Sequence, residues 1–127
     1  MNPLKSTMMQ AMSGMEFQSK RLDVTSQNIS NADTPGYKRK ILVVDGPQSG
    51  AEAFKNIQVQ LDQTDGETRY DPSHPMANGE GYVTMSNVSM ITEVADMREA
   101  NRSYEANLNS FQQARSMYRS LLDILKR

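Results

Sequence analysis

The sequence predicts a mainly α protein with a small β region, in which N- and C-terminal helices form a coiled-coil-like hairpin around a short strand-rich middle. Three observations carry this. Residues suited to a helical seam recur in alternating steps of four and three from Leu4 to Ile29, and again from Met90 to Leu125. Between these stretches the apolar period shortens to two. Steps of four and three average to the repeat of a coiled-coil seam, whereas a period of two belongs to a half-buried strand.

The first helix is expected to open at Asn2, whose side chain can cap it, with Pro3 at the first helical position, where a missing N–H does no harm. Its seam runs through Leu4, Met8, Ala11, Met15, Gln18, Leu22, Thr25 and Ile29, weakened at Gln18 and Thr25. It should end near Asn31, because Thr34-Pro35-Gly36 disfavours helix before the proline and removes a backbone donor.

In the middle, Lys40-Ile41-Leu42-Val43-Val44-Asp45 reads as a strand stopped by Gly46-Pro47. Ile57 to Leu61 alternates apolar and polar, and Asp65-Gly66 signals a turn before Glu67 to Tyr70. Gly81 to Met85 is a last extended piece, after the turn-rich loop from Asp71 to Gly79.

The second helix has a longer seam: Met90, Val94, Met97, Asn101, Tyr104, Leu108, Phe111, Arg115, Tyr118, Leu122 and Leu125. Asn87 or Ser89 can cap it, and Glu99 with Arg102 and Asp123 with Arg127 stand at ion-pair spacing. Asn101 and Arg115 are polar seam positions of the kind that specify register or partner number. The chain therefore divides into residues 1–39, a helix and turn of an assembly domain; 40–86, the strand-rich middle; and 87–127, the second assembly helix.

Composition limits what such a layout can do. Only 37% of the residues are hydrophobic and tryptophan is absent, so a monomeric core is thin and part of the stability should come from neighbours. The ten methionines, five of them before Phe17, suit either core filling or a surface that adapts to several partners. Net charge is +2 over 1–39, −4 over 40–87 and +1 over 88–127, with no basic arm for nucleic acid. The first residues lack the uninterrupted apolar core of a secretory signal. The expectation is a protein that stays in the cytoplasm or leaves by a route needing no cleaved signal.

The sequence offers little reactive chemistry. With no cysteine there is no disulfide and no thiolate site. His74 lies in the turn-rich loop, where a local hydrogen bond is its simplest role, since sequence adjacency to Ser73 and Asp71 does not build a triad. Neither a calcium-loop spacing nor a glycine-rich phosphate cradle is present. No catalytic residue, metal site, cofactor or small-molecule substrate is expected.

Two motifs go beyond a generic helical hairpin. Ser26 to Arg39, with Asn28-Ile29-Ser30-Asn31 followed by Thr34-Pro35-Gly36-Tyr37, resembles the signature of flagellar rod and hook proteins, with Ser30 where alanine is usual. Arg102-Ser103-Tyr104-Glu105-Ala106-Asn107 resembles the motif on the C-terminal helix of the same family. Asp71 to Pro75 through Gly81-Tyr82-Val83, with Asn87-Val88, resembles the proximal-rod members of that family.

The resemblance implies a non-enzymatic subunit, exported through the flagellar type III apparatus and stacked in the periplasm into a rod that transmits torque. Its implied partners are copies of itself, other flagellar rod proteins and the export apparatus. The expected assembly interface takes Leu4, Met8, Met15, Leu22 and Ile29 from the first helix, with Asn28, Asn31, Pro35, Gly36 and Tyr37 from its end. The second helix contributes Met97, Asn101, Arg102, Tyr104, Glu105, Asn107, Leu108, Phe111, Arg115, Tyr118, Leu122 and Leu125. Another axial subunit and an intracellular coiled-coil adaptor are the competing readings; the adaptor leaves Pro35-Gly36-Tyr37 and the middle loop unexplained.

Overall fold

The computed structural model describes residues 2–47 and 53–126. It contains α1 (Pro3–Ser30), β1 (Lys40–Asp45), β2 (Asn56–Leu61), β3 (Thr68–Tyr70), β4 (Tyr82–Thr84) and α2 (Met90–Leu125). The predicted fold class is the observed one: two long helices flank a small β region.

The ends of α1 follow from its sequence. Asn2 accepts a 2.8 Å hydrogen bond from the Leu4 N–H, and Pro3 occupies the first turn. At the other end the Asn31 backbone N–H reaches the Gln27 and Asn28 carbonyls, and its side-chain Nδ2 donates to Gln27 O at 2.9 Å. Gly36 then takes a φ of 77°, which an L side chain rarely adopts, and its N–H donates to Thr84 O at 3.0 Å. The Pro-Gly turn thus ties the end of α1 to β4.

The four strands form two separate antiparallel pairs. Lys40 stands opposite Leu61 and Asp45 opposite Asn56 in the β1–β2 ladder; Thr68 faces Thr84 and Tyr70 faces Tyr82 in β3–β4. Tyr70 and Tyr82 meet edge to face at 5.2 Å, while Val83 turns inward and is buried.

Asp65-Gly66, read as a turn signal, lies in the link between the two sheets, and β2 does not pair with β3. Gly66 is needed for close approach. A Cβ there would stand 1.9 Å from Met85 O and 2.7 Å from Ser86 O, both backbone atoms that cannot swing aside. Gly66→Ala is therefore expected to lower stability by at least about 2 kcal/mol, readable by urea denaturation, with early loss of amide protection in β3 and β4.

The helices run antiparallel, Asn28 beside Glu93, Gly14 against Asn107 and the Lys5 ammonium over the Tyr118 ring. This register corrects the expected seam. On α2 the inward line is Glu93, Met97, Ala100, Tyr104, Asn107, Phe111, Ala114 and Tyr118. Alternate members of the predicted line are displaced by one residue: Val94, Asn101 and Arg115 are exposed and Leu108 is half-buried. On α1, Gly14 and Asn28 are fully inward where Met15 and Ile29 were expected, leaving those two half-buried.

The physical reason is close approach. A Cβ on Gly14 would fall 2.6 to 2.9 Å from the Asn107 side chain, so the helices are nearer than larger residues permit. Packing selects small residues for the centre of the seam and pushes large ones to its flanks.

Ser89 occupies the N-cap of α2 without a side-chain bond, and Asn87, the other candidate cap, is used elsewhere. Glu99 pairs across the hairpin with Arg21 at 3.3 Å, not with Arg102 as spacing suggested. Arg127, the expected partner of Asp123, lies outside the described residues. Buried hydrophobic residues among those described are Ala11, Val24, Ala53, Val83, Ala100 and Ala114, mostly alanines, each burying far less apolar area than a leucine.

Candidate assembly surface and the polar node beneath it

Three segments converge where α1 ends and α2 begins. Asn28, 1% exposed, accepts hydrogen bonds at Oδ1 from the Lys40 N–H and the Tyr37 hydroxyl, both at 2.9 Å. Its Nδ2 donates to Lys40 O at 2.9 Å and to Glu93 Oε2 at 3.3 Å. One amide side chain therefore holds the start of β1, the turn and α2 together.

Glu93, also 1% exposed, receives the Nε–H of Arg39 on its other oxygen. Arg39 reaches on to Asp96 at 3.0 Å, and Arg21 bridges Asp96 and Glu99 at 3.5 and 3.3 Å. The Arg39 N–H donates to Asn87 Oδ1 at 2.6 Å, while Asn87 Nδ2 donates to the Asp62 and Thr64 carbonyls at 2.8 Å. Ser86 Oγ donates to Ala32 O. A buried carboxylate is tolerable only when paired and hydrogen-bonded, and here both oxygens have donors.

Burial, then the neighbouring Glu93 charge, raises the Tyr37 hydroxyl above its ordinary value. The folded chain holds this proton more tightly, so the associated stability is complete below the unfolded tyrosine pKa of about 10. It is lost as pH rises through the folded value. Tyr37→Phe should lower stability by about 1 kcal/mol at neutral pH. It should also flatten the alkaline fall above about pH 10, checked by urea melts across pH.

The expected interface residues divide by position. Asn28 is enclosed in the chain, and Asn31, Pro35 and Tyr37 are partly covered around the node; Gly36 is exposed at its turn. Leu4, Met8, Met15, Leu22 and Ile29 are half-buried along α1. Met97, Tyr104, Asn107, Leu108, Phe111 and Tyr118 flank or enter the seam, whereas Asn101, Arg102, Glu105, Arg115, Leu122 and Leu125 face outward.

Sequence reading missed Glu93, Asp96 and Arg21 as site residues, and it took Asn87 for a helix cap where its side chain instead ties Arg39 to Asp62 and Thr64. Glu93 lies four residues before Met97, in seam phase, which is the signal that a buried charge required a cation such as Arg39.

Because Lys5 already meets Tyr118, α2 continues beyond the start of α1. There Leu121, Leu122, Ile124 and Leu125 are 41%, 37%, 66% and 72% exposed. At the other end Met90, Ile91 and Val94 form a second exposed apolar strip, rimmed by Arg98 and Arg102. Unpartnered apolar residues grouped in this way mark interaction surfaces. His74 Nδ1 accepts the Met76 N–H at 3.0 Å, the local role expected of it. Among the described residues there is no acidic, histidine or cysteine cluster able to hold a metal, and no helix long and apolar enough to cross a membrane.

A helical hairpin whose buried carboxylate is paired within the chain and whose apolar strips face outward defines a structural subunit built to pack with others. Comparison with known proteins particularises the class. Residues 8–38 match the family model described as "Flagella basal body rod protein", and residues 80–124 match "Flagellar basal body rod FlgEFG protein C-terminal". The flagellar basal-body rod protein FlgC of Agrobacterium fabrum is 43% identical, over 99% of this chain and 98% of its own length. Those of Bacillus subtilis and Borreliella burgdorferi are 31% and 30% identical, covering 90% and 91% of this chain and 93% of their own lengths. The chain belongs to the FlgC family of flagellar basal-body rod proteins, structural subunits of the rod.

Proposed function

We propose that the helical hairpin packs with copies of itself and with other flagellar rod proteins into a tube that transmits torque from motor to hook. The single observation that carries this reading is the apolar overhang of α2, left exposed among the described residues. Residues 1–39 and 87–127 form the assembly domain, and 40–86 lie on its outside. Leu4, Met8, Met15, Leu22, Leu108, Leu122 and Leu125 supply apolar contacts. Exposed Asn101 and Arg115 set register between subunits instead of within the hairpin.

The subunit works by shape and contact, without catalysis or a cofactor. It travels through the flagellar type III export apparatus without a cleaved signal and takes its place in the periplasmic part of the basal body. The thin alanine-rich core supports this route, since a chain of low stability unfolds readily for passage. Deleting the gene should abolish swimming and leave basal bodies without a completed rod, with both restored by the intact chain. Normal swimming in the deletion strain would refute the reading.

A further inference from the structure

A turn of the strand-rich middle lies across one groove of the helical hairpin. The groove, about 470 Å³, is lined by small or uncharged residues, among them Ala11, Gly14, Ser103, Ala106 and Ser110. Ala53 is 5% exposed within it, and the Phe54 ring stacks on Phe17 at 4.5 Å and 15°.

Two features mark this cover as provisional. Phe54 has a φ of 57°, a left-handed conformation that a bulky side chain disfavours and that persists only under outside constraint. Beneath it, Gln18 lines the same groove, is 9% exposed, and its buried Oε1 has no hydrogen-bond partner among the described residues. Buried acceptors are nearly always satisfied, so the groove asks for a donor.

We propose that the Ala53–Phe54 turn is a self-covering contact over a subunit interface, displaced when the α2 overhang of a second copy enters the groove. Among the described residues no side chain covers the overhang, and it carries both required groups on one face. Ser120 and Ile124 are four residues apart, so they lie one turn from each other. Ile124 replaces the Phe54 ring on Phe17, and the Ser120 hydroxyl donates to Gln18 Oε1. The cover lowers the fraction of molecules competent to associate, which weakens self-association before the rod forms. The identity of the neighbour rests on the rod reading above.

Sedimentation velocity of the purified full chain over a concentration series tests this. Phe54→Ala, which loses the stack, should strengthen self-association about tenfold. Ala53→Glu ejects the turn from its other residue and should do the same, which guards against one variant misfolding; circular dichroism checks both. Gln18→Leu should melt at a higher temperature yet self-associate more weakly, and Ser120→Ala with Ile124→Ala should weaken association without changing the melt. Unchanged association in Phe54→Ala and Ala53→Glu would overturn the cover. Wild-type association in Gln18→Leu would make Gln18 merely structural and overturn the proposed contact. If no variant self-associates at any concentration, the second copy is the wrong occupant, while the deletion strain still decides the rod reading separately.

Discussion

Replacing Arg39 by alanine is expected to lower the unfolding free energy by about 3 kcal/mol, the larger of the two losses available at the polar node. The reason is asymmetric. Removing the guanidinium leaves Glu93, 1% exposed, with only the Asn28 amide, and also takes a donor from Asp96. Glu93→Gln removes the buried charge instead; Arg39 keeps Asp96 and part of its solvent contact, and the loss should be about 1 kcal/mol. In a thermal melt the Arg39→Ala shift amounts to about 10 °C. Equal effects of the two substitutions would show that the carboxylate does not depend on Arg39.

Leu122→Asp with Leu125→Asp should abolish rod assembly and swimming while leaving the melt of the purified chain unchanged. Both residues lie beyond the start of α1 and are well exposed, so the free subunit loses little, within about 0.5 kcal/mol. In the assembled state each leucine contributes about 1.5 to 3 kcal/mol, and a desolvated aspartate adds a penalty. Losing about 4 kcal/mol per contact weakens association about a thousandfold. Swimming and the melt are measured on the same variant. A large loss of stability would place the overhang inside the fold, and normal motility would remove it from the interface.

The helix limits and strand positions were legible because each rests on local chemistry: Asn2-Pro3 opens α1, Pro35-Gly36 closes it, and Gly46-Pro47 stops β1. The phase of the α2 seam was half legible. Met97, Tyr104, Phe111 and Tyr118 lie on the inward line, but the alternate positions go to Glu93, Ala100, Asn107 and Ala114. A pattern that rewards large apolar residues cannot see close approach, which depends on Gly14 in the other helix.

The node was illegible for a related reason. Asn28 and Tyr37 stand out in the signature, yet their partners Lys40, Arg39 and Glu93 belong to elements whose relative placement only the folded chain defines. Gly66 shows the same limit. Its neighbour Asp65 suggested a turn, while the constraint comes from Met85, distant in sequence.

Electron cryomicroscopy of basal bodies purified from cells carrying this chain shows where each element of the subunit sits in the rod. Helical density for α1 and α2 should line the rod channel, with residues 40–86 outside it and the overhang of α2 in contact with a neighbouring subunit. Density placing the strand-rich middle on the channel wall, or a rod in which this chain is absent, would contradict this arrangement.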